Sequence, residues 1–164
     1  MAKVIDIAKE IEEFAPKFLK EDYDNVGLMV GDEQKEVKKV LLALDCTKEV
    51  IGEAVELGVD LIVTHHPLLF KKPKNIVKGD LLGNKIINLI QNDIALYSCH
   101  TNLDSAREGI NETLVKILGF NSNQIIESAE VQNYKDGGIG RVVNFDKEID
   151  LDEVIRIVKN NLNI

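Results

Sequence analysis

The feature that most constrains the fold is a strand–helix–strand pattern over residues 40–64. Val40-Leu41-Leu42-Ala43-Leu44 is an unbroken apolar run, the pattern of a buried strand. Asp45-Cys46-Thr47 closes it, and Thr47 is placed to cap a helix. Val50, Ile51, Ala54, Val55 and Leu57 give that helix an apolar face before Gly58 ends it. A second short, β-branched run follows at Leu61-Ile62-Val63-Thr64. Strand, helix and strand at this spacing imply parallel strands joined by a right-handed crossover.

The second run ends on His65-His66-Pro67-Leu68-Leu69-Phe70. Neighbouring residues on a strand point to opposite faces, so both imidazoles could not serve one pocket if the strand continued. Pro67 removes a backbone donor and drives His66 into an extended or turn conformation, so the chain turns where the histidines sit. Two of the three histidines therefore stand at the end of a strand, where open α/β sheets place their ligands. The third, His100, closes a matching run, Ile94-Ala95-Leu96-Tyr97-Ser98-Cys99. These positions predict a metal site at the mouth of the two strands.

The remaining elements extend the pattern. Val4, Ile7, Ala8, Ile11, Phe14 and Phe18 predict an amphipathic helix of about four turns ending near Pro16. A polar segment through Asp24-Asn25-Val26-Gly27 leads into a short apolar run closed by Gly31-Asp32. Lys71-Lys72-Pro73-Lys74-Asn75 reads as a solvated basic loop. Asp80 to Asn92 reads as a helix through Leu82, Ile86, Leu89 and Ile90, with Gly83 a mild blemish. Ser105–Leu118 predicts another helix, with Ser105 and Glu108 as a capping box and Ala106, Ile110, Leu114, Ile117 and Leu118 facing the core. Residues 40–118 thus alternate strand and helix, which defines an α/β fold with a mixed, largely parallel sheet flanked by helices. Beyond Gly119 we expect a strand over Ile125–Val131, then Gly137-Gly138-Ile139-Gly140-Arg141 as a turn into Val142–Phe145. That glycine run lacks the features of a phosphate-binding loop. A last helix begins at Asp150, with Leu151, Val154, Ile155, Val158 and Leu162 inside. We expect one α/β domain over 1–164, its best-defined core over 1–120, with a strand–turn–strand and helix over 121–164.

Composition bounds the function. No stretch approaches the roughly 18 unbroken apolar residues of a membrane span. Cys46 and Cys99 are too few for a disulfide framework and read as reduced, buried thiols of a cytoplasmic protein. A net charge of −8 disfavours a broad nucleic-acid or anionic-membrane surface. It leaves open a phosphorylated ligand, since a metal can supply local positive charge.

Neutral imidazole suits zinc, iron, nickel and copper, and carboxylate can bridge two metals. Adjacent histidines at a strand corner are better placed to give one ligand each to two ions, about 3.5–4 Å apart in two-metal hydrolases, than to share one. Asp104 is the best-placed bridging carboxylate, although it could instead serve only the N-terminus of the helix that follows. His100 is a ligand, a supporting partner or an acid/base group. On spacing alone, turn chemistry accounts for Asp24, Asn25 and Gly27. A nucleophilic thiol at Cys46 or Cys99 ranks lower, because no charge that would depress a thiol pKa is legible nearby.

Thr64-His65-His66-Pro67-Leu68-Leu69-Phe70, with His100-Thr101-Asn102-Leu103-Asp104, resembles the signature of the NIF-three-like proteins, labelled in bacteria GTP cyclohydrolase I type 2 homologues. Asp24-Asn25-Val26-Gly27-Leu28, Asp45 to Thr47 and Gly138-Ile139-Gly140-Arg141 match the same family, so the resemblance covers essentially the whole chain. It implies an α/β fold in ring-like assemblies, typically hexamers, with two divalent ions (zinc, iron, manganese or nickel). His65, His66 and Asp104 would be metal ligands, His100 a catalytic group beside them, and Asp24, Asn25 and Gly27 would line the pocket. It implies a metal-dependent hydrolase acting on a nucleotide-like substrate, or a non-catalytic metal-binding scaffold or regulatory partner. The family completes its centre with a histidine and a glutamate near its C-terminus, and this chain has no histidine after His100. We therefore expect the N-terminal portion of a longer protein, with weak metal binding on its own and an exposed apolar patch.

Overall fold

The apolar runs ahead of the histidines become the two central strands of a sheet. In the computed structural model, which describes residues 1–121, 124–129 and 134–164, four strands lie side by side in the order β1-β4-β3-β2. They are β1 (Gly27–Val30), β2 (Val40–Ala43), β3 (Leu61–Thr64) and β4 (Ala95–Ser98). Strands β2, β3 and β4 are parallel, with Ala43, Thr64 and Ser98 in register at their C-terminal ends. Strand β1 is antiparallel to β4, pairing Gly27 with Ser98, so its N-terminal end meets the same edge. Every residue of β3 and β4 is buried. Alternation sends Ile62 and Leu96 to one face, and Leu61, Val63, Ala95 and Tyr97 to the other.

Helices cover both faces. Ile51 and Ala54 of α2 (Lys48–Leu57) and Ile86 and Leu89 of α3 (Leu81–Gln91) pack with Ile62 and Leu96. Val4 and Ala8 of α1 (Val4–Phe14) pack with Leu61, Val63 and Tyr97. Each fully buried Leu, Ile or Val contributes roughly 1.5–3 kcal/mol, so these paired clusters hold the sheet edge in place. The chain divides here into two units, Met1–Leu103 and Asp104–Ile164. In the second, β5 (Gln124–Ser128) and β6 (Gly138–Val142) form an antiparallel pair, with α5 (Ile110–Ile117) and α6 (Leu151–Leu162). The short helix α4 (Thr101–Ser105) runs across the division.

The α/β architecture and its mixed, largely parallel sheet match the sequence reading. Thr47 Oγ1 caps α2 by accepting from Val50 N at 3.2 Å. Several local expectations need correction. Helix α1 stops at Phe14, and Phe14 and Phe18 are exposed: a single 3-10 turn at Lys17–Leu19 breaks the periodicity and buries Leu19 instead. The Val40–Leu44 run is an edge strand, not a buried one, with Leu42 75% and Leu44 61% exposed. Gly83 is no blemish, because a Cβ there would collide with the backbone of Val77.

The Ser105–Glu108 capping box does not form. Ser105 ends α4, Glu108 takes a positive φ of 59°, and the next helix starts only at Ile110. Glu112 reaches back to the Glu108 N–H at 3.0 Å in its place. Val115 is buried in α5, whereas Ile110, Leu114 and Ile117 are exposed. Gly138 to Arg141 belong to strand β6 rather than to a turn. Gly140 has φ 74° and its missing Cβ makes room for Ile126 of the paired strand. Part of the expected Ile125–Val131 strand lies outside the described residues, and β5 ends at Ser128. Asp150 Oδ1 caps α6 through Asp152 N, yet no residue of α6 is fully buried: Val154, Val158 and Leu162 are half-buried, and Leu151 and Ile155 are exposed.

Candidate metal centre

Register alone brings the site together. Because β2, β3 and β4 end level, the residues just after them leave the sheet at one edge: Asp45 after β2, His65 and His66 after β3, Cys99 and His100 after β4. The reversed direction of β1 adds Asp24 and Asn25 from the segment before it. The turn at Pro67 does what the dipeptide needs. Thr64 Oγ1 donates to the His66 carbonyl at 3.0 Å and lies 2.9 Å from Ser98 Oγ, fixing the corner against the neighbouring strand.

The three imidazoles converge. Ring centroids are 5.0 Å apart for His65–His66 and His65–His100, and 5.6 Å for His66–His100. One ring nitrogen from each lies within 4.8 Å of the others. Each Nδ1 faces an atom that can only accept. His65 Nδ1 is 3.1 Å from the Cys99 carbonyl, His66 Nδ1 is 2.9 Å from Asp45 Oδ1, and His100 Nδ1 is 3.0 Å from Asp24 Oδ1. In the neutral rings these partners place the proton on Nδ1 and the lone pair on Nε2. Ring orientation and tautomer are set in this same way around metal-ligating histidines.

Asp24 is the anchor. Its side chain is fully buried, and burial by itself pushes its pKa up. Four hydrogen bonds outweigh that: the Thr101 hydroxyl, His100, and the backbone N–H groups of Thr101 and Asn25 hold the carboxyl below the usual carboxylate range. An ionised Asp24 beside His100 therefore favours a well-ordered ring. Asn102 completes the corner, accepting from His100 N at 2.9 Å and donating to Ala15 O at 2.8 Å.

Of the residues expected from sequence, His65, His66 and His100 form the cluster, and Asp24 supports it from behind rather than lining open space. Asn25 ties the loop beyond the histidines, donating from Nδ2 to Leu69 O at 2.7 Å. Gly27 is buried in β1, where a Cβ would press on Lys17 Cε at 3.0 Å. Asp104 lies in α4 and is the first residue of the second unit. Sequence reasoning gave no role to Asp45, the partner of His66, or to Thr101 and Asn102. The legible signal was position: Asp45 immediately follows a strand run, as the histidines do. The thiol alternative fails for Cys46, which is buried and whose pKa burial pushes up to about 11, with Lys85 only partly opposing.

Fit to a metal follows from the donor set. Three imidazoles with oriented Nδ1 protons match the three-ligand sites that hold zinc and similar ions with a position left for water. A second ion needs further donors. The fold and this edge define an α/β protein with a histidine cluster at the C-terminal end of its parallel strands. The chain belongs to the Duf34/NIF3 (NGG1p interacting factor 3) family, whose model matches residues 2–164. It is 56% identical over 162 residues to a protein of Clostridium perfringens named GTP cyclohydrolase 1 type 2 homolog, covering 99% of this chain and 61% of that one. A protein of the same name from Clostridium acetobutylicum is 50% identical, with 99% and 60% covered. Among solved structures, a Staphylococcus aureus hypothetical protein superposes with a TM-score of 0.88 at 33% identity, covering 99% of this chain and 65% of that one. Reduced HcgD from Methanocaldococcus jannaschii gives 0.81 at 38% identity, with 97% and 60% covered. The chain thus spans about three-fifths of the length of the curated relatives it matches.

Proposed function

We propose that this chain carries the metal-binding edge of a metal-dependent hydrolase acting on a nucleotide-like substrate, in a cytoplasmic homo-oligomer that the resemblance makes a hexamer. The observation that carries the reading is the convergence of His65, His66 and His100, each with its Nδ1 against an acceptor. His65 and His66 would hold the metal, with His100 beside them as ligand or proton carrier. Asp104 as a further ligand, and a second ion, rest on the family resemblance. A divalent ion in such a site supplies Lewis-acid polarisation and lowers the pKa of bound water.

The chain's own residues contribute orientation and proton handling. Asp24 holds His100 in one tautomer, so a proton accepted at Nε2 would be stabilised by the buried carboxylate behind the ring. Asp45 does the same for His66 at a more exposed position, and the Cys99 carbonyl fixes His65. Phe70, 6.3 Å from both the His100 and Tyr23 rings, gives the edge an apolar flank suited to a flat base. GTP as the substrate rests on the names of the relatives.

The second reading is a metal-binding scaffold without turnover, favoured by the open character of His66, whose side chain is 46% exposed. Assay of the metal-loaded protein against a panel of nucleotides separates the two. Hydrolysis that disappears in His65→Ala and His66→Ala, with the circular dichroism unchanged, supports the enzyme. Full activity in both variants sinks it, and metal binding without turnover leaves the scaffold.

A further inference from the structure

The loop between β3 and α3 carries concentrated positive charge in an acidic chain. Lys71, Lys72, Lys74 and Lys78 fall in a segment, 71–78, that contains no Asp or Glu, against a net charge of −8 for the whole sequence. Every residue of the segment is exposed, and none of these lysines meets a carboxylate among the described residues. The loop is held at both ends: Leu68 and Leu69 pack against the core, and the Val77 backbone lies against Gly83 of α3. Like charges set side by side on an anchored loop repel one another, so the arrangement favours an anion that neutralises them.

An aromatic pair stands at the histidine end of that loop. Phe70 immediately precedes Lys71, and its ring lies 6.3 Å from His100 at 86° and 6.3 Å from Tyr23 at 66°. Tyr23 is 68% exposed and Phe70 43%. Single exposed apolar residues are ordinary, but two aromatic rings in contact beside a cluster of imidazoles make a surface suited to recognition. Both rings sit on fixed backbone. Lys20 Nζ donates to the carbonyls of Glu21 and Asp24 at 3.3 and 3.0 Å, closing the turn that carries Tyr23. Asn25 Nδ2 ties that turn to Leu69 O, next to Phe70. Rings set edge to face leave a step in which a flat heterocycle stacks on one ring and meets the edge of the next. Glu21 and Asp22 lie on the Tyr23 side of the pair, whereas lysines follow Phe70. Charge therefore gives a ligand its direction, with the flat part toward the histidines and the anionic part toward the loop.

We infer that Phe70 and Tyr23 stack the base of a nucleoside polyphosphate while Lys71, Lys72 and Lys74 neutralise its phosphate chain. This assignment rests on the nucleotide-like substrate proposed above and adds the residues that read its two halves. Lysine acts as a flexible point charge without the planar fork of arginine, so affinity grades with the number of phosphates and falls with salt. The test is an NMR titration of the metal-free protein with adenosine, AMP, ATP, inorganic triphosphate and a short oligothymidylate, following the backbone amides of residues 20–25 and 68–78. ATP is expected to bind about tenfold more tightly than adenosine, the scale of several exposed charge contacts together. Combining Lys71→Gln, Lys72→Gln and Lys74→Gln should bring ATP to the affinity of adenosine and leave adenosine unchanged. Tyr23→Ala, at an exposed side chain, should weaken ATP and adenosine alike by about five- to a hundredfold, the range for one stacked base, and leave inorganic triphosphate unchanged. Equal binding of adenosine and ATP, full ATP affinity in the lysine variant, or inorganic triphosphate binding as tightly as ATP would each overturn the assignment. Tighter binding of the oligonucleotide than of ATP would overturn it in favour of single-stranded nucleic acid. Turnover is read separately, on the metal-loaded protein. ATP binding without hydrolysis keeps this assignment while the hydrolase reading fails. Hydrolysis of nucleosides with the same kcat/KM as their triphosphates keeps the hydrolase and overturns this assignment.

Discussion

The site rests on single hydrogen bonds behind each imidazole, and those bonds can be tested one at a time. Asp45→Asn and Asp24→Asn each remove a charged acceptor from an Nδ1 proton without touching a nitrogen that would face the metal. Loss of such supporting groups commonly costs 10–100-fold in metal affinity, and we expect about that for each variant by calorimetric titration with zinc. The variants differ in stability. Asp45 is 54% exposed in its side chain, so Asp45→Asn should leave the melting temperature unchanged, whereas Asp24→Asn breaks a buried network and should lower it. Asp24 has a folded pKa held below its ordinary value of 3.8. Its stabilisation is therefore complete above that value and is lost as pH falls through the lower folded one, a part of the acid-unfolding curve that Asp24→Asn should flatten. Cys46, raised to about 11, has roughly one thiol in a thousand ionised at pH 8. Iodoacetamide should label it only after unfolding, as mass spectrometry can read; rapid labelling of the native protein would contradict its buried, unreactive state.

Elements were legible where local pattern and tertiary environment agree. The β3 and β4 runs, the Thr47 cap and the Asp80 and Asp150 helix starts are in the structure as the sequence implies. The failures share a cause: apolar periodicity reports which face is apolar, not whether anything covers it. Leu42, Leu44, and Leu151 and Ile155 of α6 carry the pattern of buried residues and are exposed. Glycine shows the same limit. Gly52 in α2 has nothing within 4 Å of its missing Cβ, whereas Gly83 in α3 is pressed against Val77. Propensity alone treats them alike. We predict that Gly52→Ala stabilises by about 0.5–1 kcal/mol and that Gly83→Ala lowers stability, both read by chemical denaturation. Stabilisation by Gly83→Ala would refute the close approach.

At the scale of the whole molecule, the candidate site was readable because it lies at strand ends, and topology sends strand ends to one edge. What sequence spacing could not give was the direction of β1, since a short apolar run carries no sign of whether it pairs parallel or antiparallel. That direction is what turns Asp24 from a turn residue into the buried partner of His100. The same topology leaves β2 with an outer edge unpaired among the described residues and with Leu42 projecting from it. Such edges template association. Leu42→Lys should reduce concentration-dependent self-association in sedimentation while changing stability by no more than about 0.5 kcal/mol.

Everything proposed for the site depends on the imidazole cluster of His65, His66 and His100 binding a metal ion. The most direct test is zinc titration of the purified protein, followed by elemental analysis, against His65→Ala and His100→Ala. Saturable though weak binding of about one ion per chain at these imidazoles is expected, with any further ion depending on other ligands. His65→Ala should bind at least about tenfold more weakly, since losing a ligand must cost no less than losing its support; a comparable loss in His100→Ala marks that ring as a ligand, and a smaller one as the proton carrier. A wild-type chain without saturable binding, or a His65→Ala chain that binds as tightly as wild type, would rule out a metal site at this edge.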